Sequence, residues 1–259
     1  MREPVLYLGD TSLTGAAGYL AGVLTAGRIP FHYVPSDQPA DVSLLDSRRL
    51  VILSDYSAKM LSPEGHGKLA ALVAEGTGLL MIGGWESFHG LGGDWDRSSL
   101  AAVLPVTISA TDDRVNCDQP AMIRPVVDHP TTRGLPWREL PPGVGGFNRF
   151  EVDPKGSVIL ELVRHTARWK ENHCEFAERE RVPLLVVGEY GRGRTAALAT
   201  DVAPHWVGGL VDWGAERVVA QAEGASEIEV GSDYARFFQQ LVRWTAVFEE
   251  AAGEASDAG

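Results

Sequence analysis

Cysteine is scarce in this chain: there are two, Cys117 and Cys174, in 259 residues. Two thiols so far apart make no disulfide framework and no Cys-x-x-Cys metal knuckle, which points to a reducing compartment, the cytoplasm. Basic clusters are lacking too. Acidic residues outnumber basic ones 35 to 23, for a formal charge of −12. An acidic chain without a basic patch is a poor ligand for a phosphate backbone, so nucleic acid is not an expected partner. No apolar run approaches the roughly 20 residues that span a bilayer. The N-terminus, MREPVLYLGD, lacks the charged-then-apolar layout of a signal peptide, and a membrane is not an expected partner either. Internal repeats are absent. The one low-complexity stretch is EEAAGEASDAG, residues 249–259, which reads as a frayed acidic tail. Residues 1–248 read as one α/β domain, and a hydrophobic fraction of 44% supplies a sizeable core.

Metal and cofactor signatures are missing as well. His165, His173 and Cys174 are spaced like a ligand set, yet Arg168, Lys170 and Glu171 between them mark a solvated segment, and no HExxH supports a metal. Gly191-Arg192-Gly193-Arg194 looks like part of a phosphate loop but lacks the full spacing and falls in a hairpin turn. The expectation is no metal and no cofactor.

What is present alternates strand and helix signals. Val5 to Gly9 is a short apolar run ending at Gly9-Asp10, and Thr11 to Ala26 has helical spacing closed by Gly27. Ile29 to Val34 and Leu50 to Leu53 read as further strands, the latter ending at Ser54-Asp55-Tyr56. Ser62-Pro63-Glu64 carries a capping hydroxyl, a first-turn proline and an acid at the positive end of the dipole, so a helix starts there and runs to Gly76. Leu79 to Gly84 is the fourth strand, followed by Trp85, Glu86, Ser87, Phe88 and His89. Strands joined by helices imply parallel pairing, and open parallel sheets bind ligands beyond the carboxyl ends of their strands, near the point where strand order reverses. Gly9-Asp10, Asp55 and Gly84-Trp85-Glu86 would then share one rim.

The second half favours strands: AMIRPVV (121–127), FNRFEV (147–152), SVILELV (157–163), and a hairpin from Pro183 to Asp201 turning at Tyr190 to Gly193. Residues 207–231 read as an excursion. Ser232 then caps a closing helix with Phe237, Phe238, Leu241, Trp244 and Phe248 near one stripe.

Four marks occur in order: Gly83-Gly84-x-x-Ser87-Phe88 after a strand; Asp128-His129-Pro130 with Gly134-Leu135; Gly146-Phe147-Asn148-Arg149; and Tyr190-Gly191-x-Gly193-Arg194 leading to Asp201 and Pro204-His205-Trp206. With these marks the chain, over residues 4 to 248, resembles the class I glutamine amidotransferase-like superfamily, in its uncharacterised bacterial "putative glutamine amidotransferase" branch. The resemblance implies a flavodoxin-like, mostly parallel sheet flanked by helices, with added β-hairpins in the C-terminal half. It also implies a nucleophilic cysteine on a strand-to-helix turn, completed by a late histidine and acid. That turn falls at Gly83 to Ser87, where there is no cysteine and Trp85 takes the nucleophile's place, so glutamine hydrolysis by that route is not expected. His205 falls near the place of the triad histidine.

Each candidate residue has two readings. Trp85 either stacks a flat ligand such as a sugar or plugs a degenerate pocket. Glu86 is either a general acid–base or a surface carboxylate at a helix start. Ser87, outside any G-x-S-x-G elbow, reads as a cap. Asp201 and His205, four apart after a strand, form an acid–base pair or order a loop. Gly84, Trp85, Ser87, Phe88, Asp55 and Trp206 are the candidate ligand-binding residues, and Glu86, His205 and Asp201 the candidate catalytic ones. Three functions remain open: a module binding a small molecule such as a carbohydrate; a hydrolase or isomerase of altered chemistry using Glu86 and His205; and an assembly protein docking through its aromatic rim. A homo-oligomer is expected.

Overall fold

A computed structural model describes residues 4–248, so the tail expected at 249–259 lies outside the described residues. The first strand is β1 (Val5–Gly9), with β2 (Phe31–Val34) and β3 (Leu50–Ser54) parallel to it on either side. β4 (Gly78–Ile82) extends the parallel set beyond β3. Every residue of β1, β3 and β4 is buried. That is why these strands read as unbroken apolar runs: a parallel sheet is covered on both faces.

Helices α1 (Ala17–Ala26) and α2 (Pro63–Glu75) supply the β1–β2 and β3–β4 crossovers. α2 begins as its sequence predicts, with Ser62 Oγ accepting from the Gly65 N–H at 3.1 Å. Ser62→Ala is expected to lower stability by about 1 kcal/mol, read as a reduced urea midpoint at unchanged m-value. α1 starts later than the expected Thr11. Ser12 Oγ accepts from the Thr14 N–H at 3.1 Å, a local turn that competes with the first helical bonds.

The second half contributes β5 (Val106–Ile108), β6 (Arg114–Pro125), β7 (Gly143–Asn148), β8 (Phe150–Val152), β9 (Ser157–Lys170), β10 (His173–Tyr190) and β11 (Gly193–Leu198). A short helix α3 (Pro204–Val207), a small pair β12 (Arg217–Ala220) and β13 (Ile228–Gly231), and α4 (Ser232–Thr245) close the chain. The main sheet has the order β2-β1-β3-β4-β11-β10-β9-β6-β7. β11 is parallel to β4, and the joins from β11 outward to β7 are antiparallel. The fold is thus α/β and flavodoxin-like in its parallel half, with hairpins added at the C-terminal side. One apolar cluster runs from Val5 on β1 to Ala246 just after α4. Among the described residues no helix is long and apolar enough to cross a membrane.

Some expected elements differ. FNRFEV is two strands, because Asn148 turns its side chain into the core and Arg149 N–H bonds to Asp113 O at 2.7 Å; β8 leaves the main sheet to pair with β5. Gly231, not Ser232, occupies the cap position of α4. The stretch from His165 to Cys174 is a regular β-ribbon made of β9 and β10, with Glu171 at its turn in left-handed backbone (φ 48°). Its period-two pattern is masked by charged residues on one face.

Candidate functional site

Strand order reverses between β1 and β3, and the chain places the same residue type at both carboxyl ends. Asp10 (φ 47°) and Asp55 (φ 46°) both take left-handed backbone, which a short polar side chain tolerates better than a branched one. The strands are close enough that a Cβ at Gly9 would stand 1.7 Å from Ser54 O, and the Asp10 N–H bonds to that same carbonyl at 2.8 Å. Asp10 and Asp55 share a cavity of about 490 Å³ with Thr11, Ser12, Ser36, Trp85 and Glu86.

The loop after β4 forms the other wall. No α-helix follows β4: the chain passes through turns from Gly83 to Asp94 into a short 3-10 turn at Trp95–Arg97. Ser87, expected as a cap, is instead a buried brace, donating to Ile82 O at 2.6 Å and accepting from the Asp55 N–H at 3.0 Å. The Glu86 N–H donates to Asp55 Oδ1 at 2.8 Å. Gly84 (φ 155°) lets the loop pass the carboxylate, since a Cβ there would lie 2.1 Å from Asp55 Oδ1. From the far side Asn148 clasps the loop: its Oδ1 accepts from the Gly84 N–H at 2.8 Å, and its Nδ2 donates to Gly84 O at 3.0 Å and to Asp113 Oδ1 at 2.7 Å. Asp113 in turn accepts from the His89 and Gly90 N–H groups. The result presents Trp85 45% exposed, with the Arg114 guanidinium 4.5 Å over its ring. Trp85 lines the cavity instead of plugging it.

The electrostatics are dominated by buried acids. Burial, then the charge of Asp55, pushes the Asp10 carboxyl up to about 7 against the lowering effect of the hydrogen bond donated by Tyr7 Oη. Burial also raises Asp55, to about 6, although the Glu86 N–H favours its charged form. Asp201, fully buried just past β11, is raised by burial and then by Asp10 and Asp55. Asp201 Oδ1 accepts from the Val202 and Ala203 N–H groups at 2.5 and 3.3 Å. His205 Nε2 stands 3.3 Å from Asp201 Oδ2 without the alignment of a hydrogen bond, so that oxygen has no donor among the described residues. Burial lowers the His205 pKa. Carboxyls held near neutrality can exchange protons or accept from hydroxyl donors.

Of the candidate residues, the structure brings Asp55, Trp85 and Glu86 into one cavity, with Gly84 and Ser87 shaping it from behind. Asp201 and His205 pair with each other but do not line it. Phe88 is buried against Phe150, and Trp206 is buried with its Nε1 donating to Asn116 Oδ1 at 2.9 Å. Neither can touch a ligand there, because their rings already fill core space. Asp10 is the residue the candidate set missed, although its position after an apolar run matches that of Asp55. Asp113 and Arg114 carry no local signal at all. For a cation, His89, Asp94 and Asp96 bring donor atoms within 4.8 Å of one another. His89 Nδ1 is already bonded to Asp96 at 2.8 Å, and Arg97 stands 3.9 Å from Asp94 and 3.7 Å from Asp96.

A family model described as "Putative glutamine amidotransferase" matches residues 14–219. The chain belongs to that family. No curated protein matches it. Two solved Salmonella typhimurium proteins, "Cytoplasmic Protein STM1381" and "Cytoplasmic Protein STM3548", are each 23% identical to it. The alignments cover 93% of this chain and 98% of theirs, with TM-scores of 0.69 and 0.68. A "thua-like protein" from Parabacteroides merdae, 14% identical, covers 99% of this chain and 94% of its own with a TM-score of 0.57. These likenesses show a shared fold. In this member of the amidotransferase-like family the loop after β4 has neither a cysteine nor a following α-helix, and its left-handed non-glycine residue before Asp94 is Phe88 (φ 52°), not Trp85. Cys117 lies on β6, where burial pushes its thiol up, the reverse of activation, and Cys174 lies on β10.

Proposed function

We propose that this protein binds a small hydroxyl-rich ligand of the carbohydrate class in the crevice over β1 and β3, and that it does not hydrolyse glutamine. The observation that carries the reading is a half-exposed tryptophan beside two near-neutral carboxyls in one cavity. A sugar offers an apolar C–H face to an indole and hydroxyl donors to carboxylates, and Trp85, Asp10 and Asp55 supply those two surfaces side by side. With Arg114 over one face of Trp85, the ligand on this reading takes the other. The missing cysteine in the loop after β4 supports the second clause. The acid–base reading through Glu86 and His205 has less support, since Glu86 lines the cavity and His205 does not. Docking through an aromatic rim is weakened by the burial of Trp206. On this reading the protein works in the cytoplasm, where the free thiols of Cys117 and Cys174 stay reduced.

Calorimetry and thermal shift across a panel of sugars, polyols, amino acids and nucleotides test the proposal. A sugar or polyol is expected to bind, with affinity rising as pH increases through the 6 to 7 range in which Asp55 and Asp10 ionise. Trp85→Ala is expected to weaken that binding about tenfold. A panel with no hit, or a Trp85→Ala variant that binds like the wild type, sinks the binding reading. Ammonia released from glutamine by the wild-type protein sinks the second clause.

A further inference from the structure

The β9–β10 ribbon reaches past the rest of the sheet. β6 pairs with β9 only over Leu160–Val163, and β11 pairs with β10 only from Leu185 to Tyr190. Residues 164–181 therefore form a two-stranded arm with no further strand on either edge among the described residues. Residues paired across two strands share a face, as do residues two apart along one strand. The pairs Trp169–Cys174 and Ala167–Phe176 thus lie together on one face of the arm. Its two aromatic rings are open to solvent, Trp169 at 73% and Phe176 at 70%. The opposite face carries Arg168, Lys170, His173 and Glu175, with Lys170 Nζ 2.8 Å from Glu175.

We infer that the aromatic face of this arm is an interface with a second copy of the chain, two arms packing face to face about a two-fold axis. Side-chain sizes alternate on this face. Nearest the tip, large Trp169 sits beside small Cys174; one row back, small Ala167 sits beside large Phe176. This checkerboard complements itself. A two-fold axis running along the strands sets each Trp169 over Cys174 of the second copy and each Phe176 over Ala167. An axis running across the strands sets Trp169 over Ala167 and Phe176 over Cys174. Either way every large ring meets a small residue, which is what two sheets packed about 10 Å apart require. Charge points the same way. Residues 164–181 hold five basic and four acidic side chains, a net +1 in a chain of −12. The arm is therefore a place where two acidic chains meet with little repulsion.

Light scattering coupled to size exclusion, over about 1 to 100 μM chain, tests the inference in the range where a modest interface saturates. The wild type is expected to run at twice the chain mass. Trp169→Asp/Phe176→Asp is expected to halve that mass and leave a folded chain whose melting temperature no longer depends on chain concentration, because both rings are exposed in the single chain. Cys174→Trp adds apolar surface but fills a notch, and is also expected to give the single-chain mass. Ala167→Phe/Trp169→Ala/Cys174→Trp/Phe176→Ala reverses the checkerboard and is expected to restore the doubled mass. A wild type at single-chain mass throughout would leave the arm to some other partner and overturn the inference. So would a doubled mass that survives the aspartates, or a Cys174→Trp variant that associates more strongly, which would mark plain stickiness.

Discussion

Asn148→Leu is expected to destabilise the protein by about 3–5 kcal/mol, the range in which breaking a buried polar network falls. Asn148 is fully buried, and its one amide group satisfies the Gly84 N–H, the Gly84 carbonyl and Asp113 Oδ1. Leucine has the same branched shape and is somewhat larger, so the change leaves no cavity. It strands two backbone groups and removes a donor from a buried carboxyl that burial already raises. At roughly 2–4 °C per kcal/mol for a domain of this size, the melting temperature should fall by about 10 °C. Asn148→Asp separates polarity from shape. It keeps an acceptor for the Gly84 N–H but faces Asp113 with a second carboxyl. It should be crippled at neutral pH and recover on acidification, when the pair can share a proton. An Asn148→Leu variant that melts within a degree or two of wild type would show that the loop holds itself. Ligand binding would report the same clasp, because Trp85 rides on the residues that Asn148 pins.

How much of the molecule is legible in the sequence depends on the range of the interaction. β1, β3, β4 and α2 can be read because their signals are local: unbroken apolar runs, and a cap, proline and acid in succession. The rim follows from those strands and the rule for parallel sheets, which is enough to bring Asp55, Trp85 and Glu86 together. The start of α1 escapes for a local reason of another kind, a serine turn competing with the first helical bonds. The ribbon is hidden because its charged face breaks the apolar runs by which buried strands are recognised. Asn148 and Asp113 are out of reach, since a clasp between residues 64 and 35 apart in sequence leaves no periodicity behind. The same holds for Trp206. Its neighbours Asp201 and His205 suggest a rim position, whereas its ring fills the space that Gly146 leaves open.

Asp10→Asn is expected to stabilise the protein at about pH 8 by about 2 kcal/mol, and by far less near pH 5. The sign follows from where the proton prefers to be. Asp10 binds its proton up to about 7 in the folded protein, against 3.8 ordinarily. Between those values the native state holds a proton that the unfolded chain has released, so stability falls as pH rises through this window. A window that wide sets a ceiling of about 4 kcal/mol, and the coupling to Asp55 and the hydrogen bond from Tyr7 bring the expected figure to about half of it. Asparagine is neutral throughout and still offers Tyr7 an acceptor. Melting temperatures should therefore diverge by about 4–8 °C at the alkaline end and converge on acidification. A difference that stays flat with pH, or a variant less stable than wild type when alkaline, would refute the assignment. Binding should move the other way, since a hydroxyl-rich ligand donates to ionised carboxylates, and Asp10→Asn should bind it more weakly when alkaline. A buried carboxyl kept at a cost in stability, which a single isosteric change relieves, is what a site retained for ligand recognition requires.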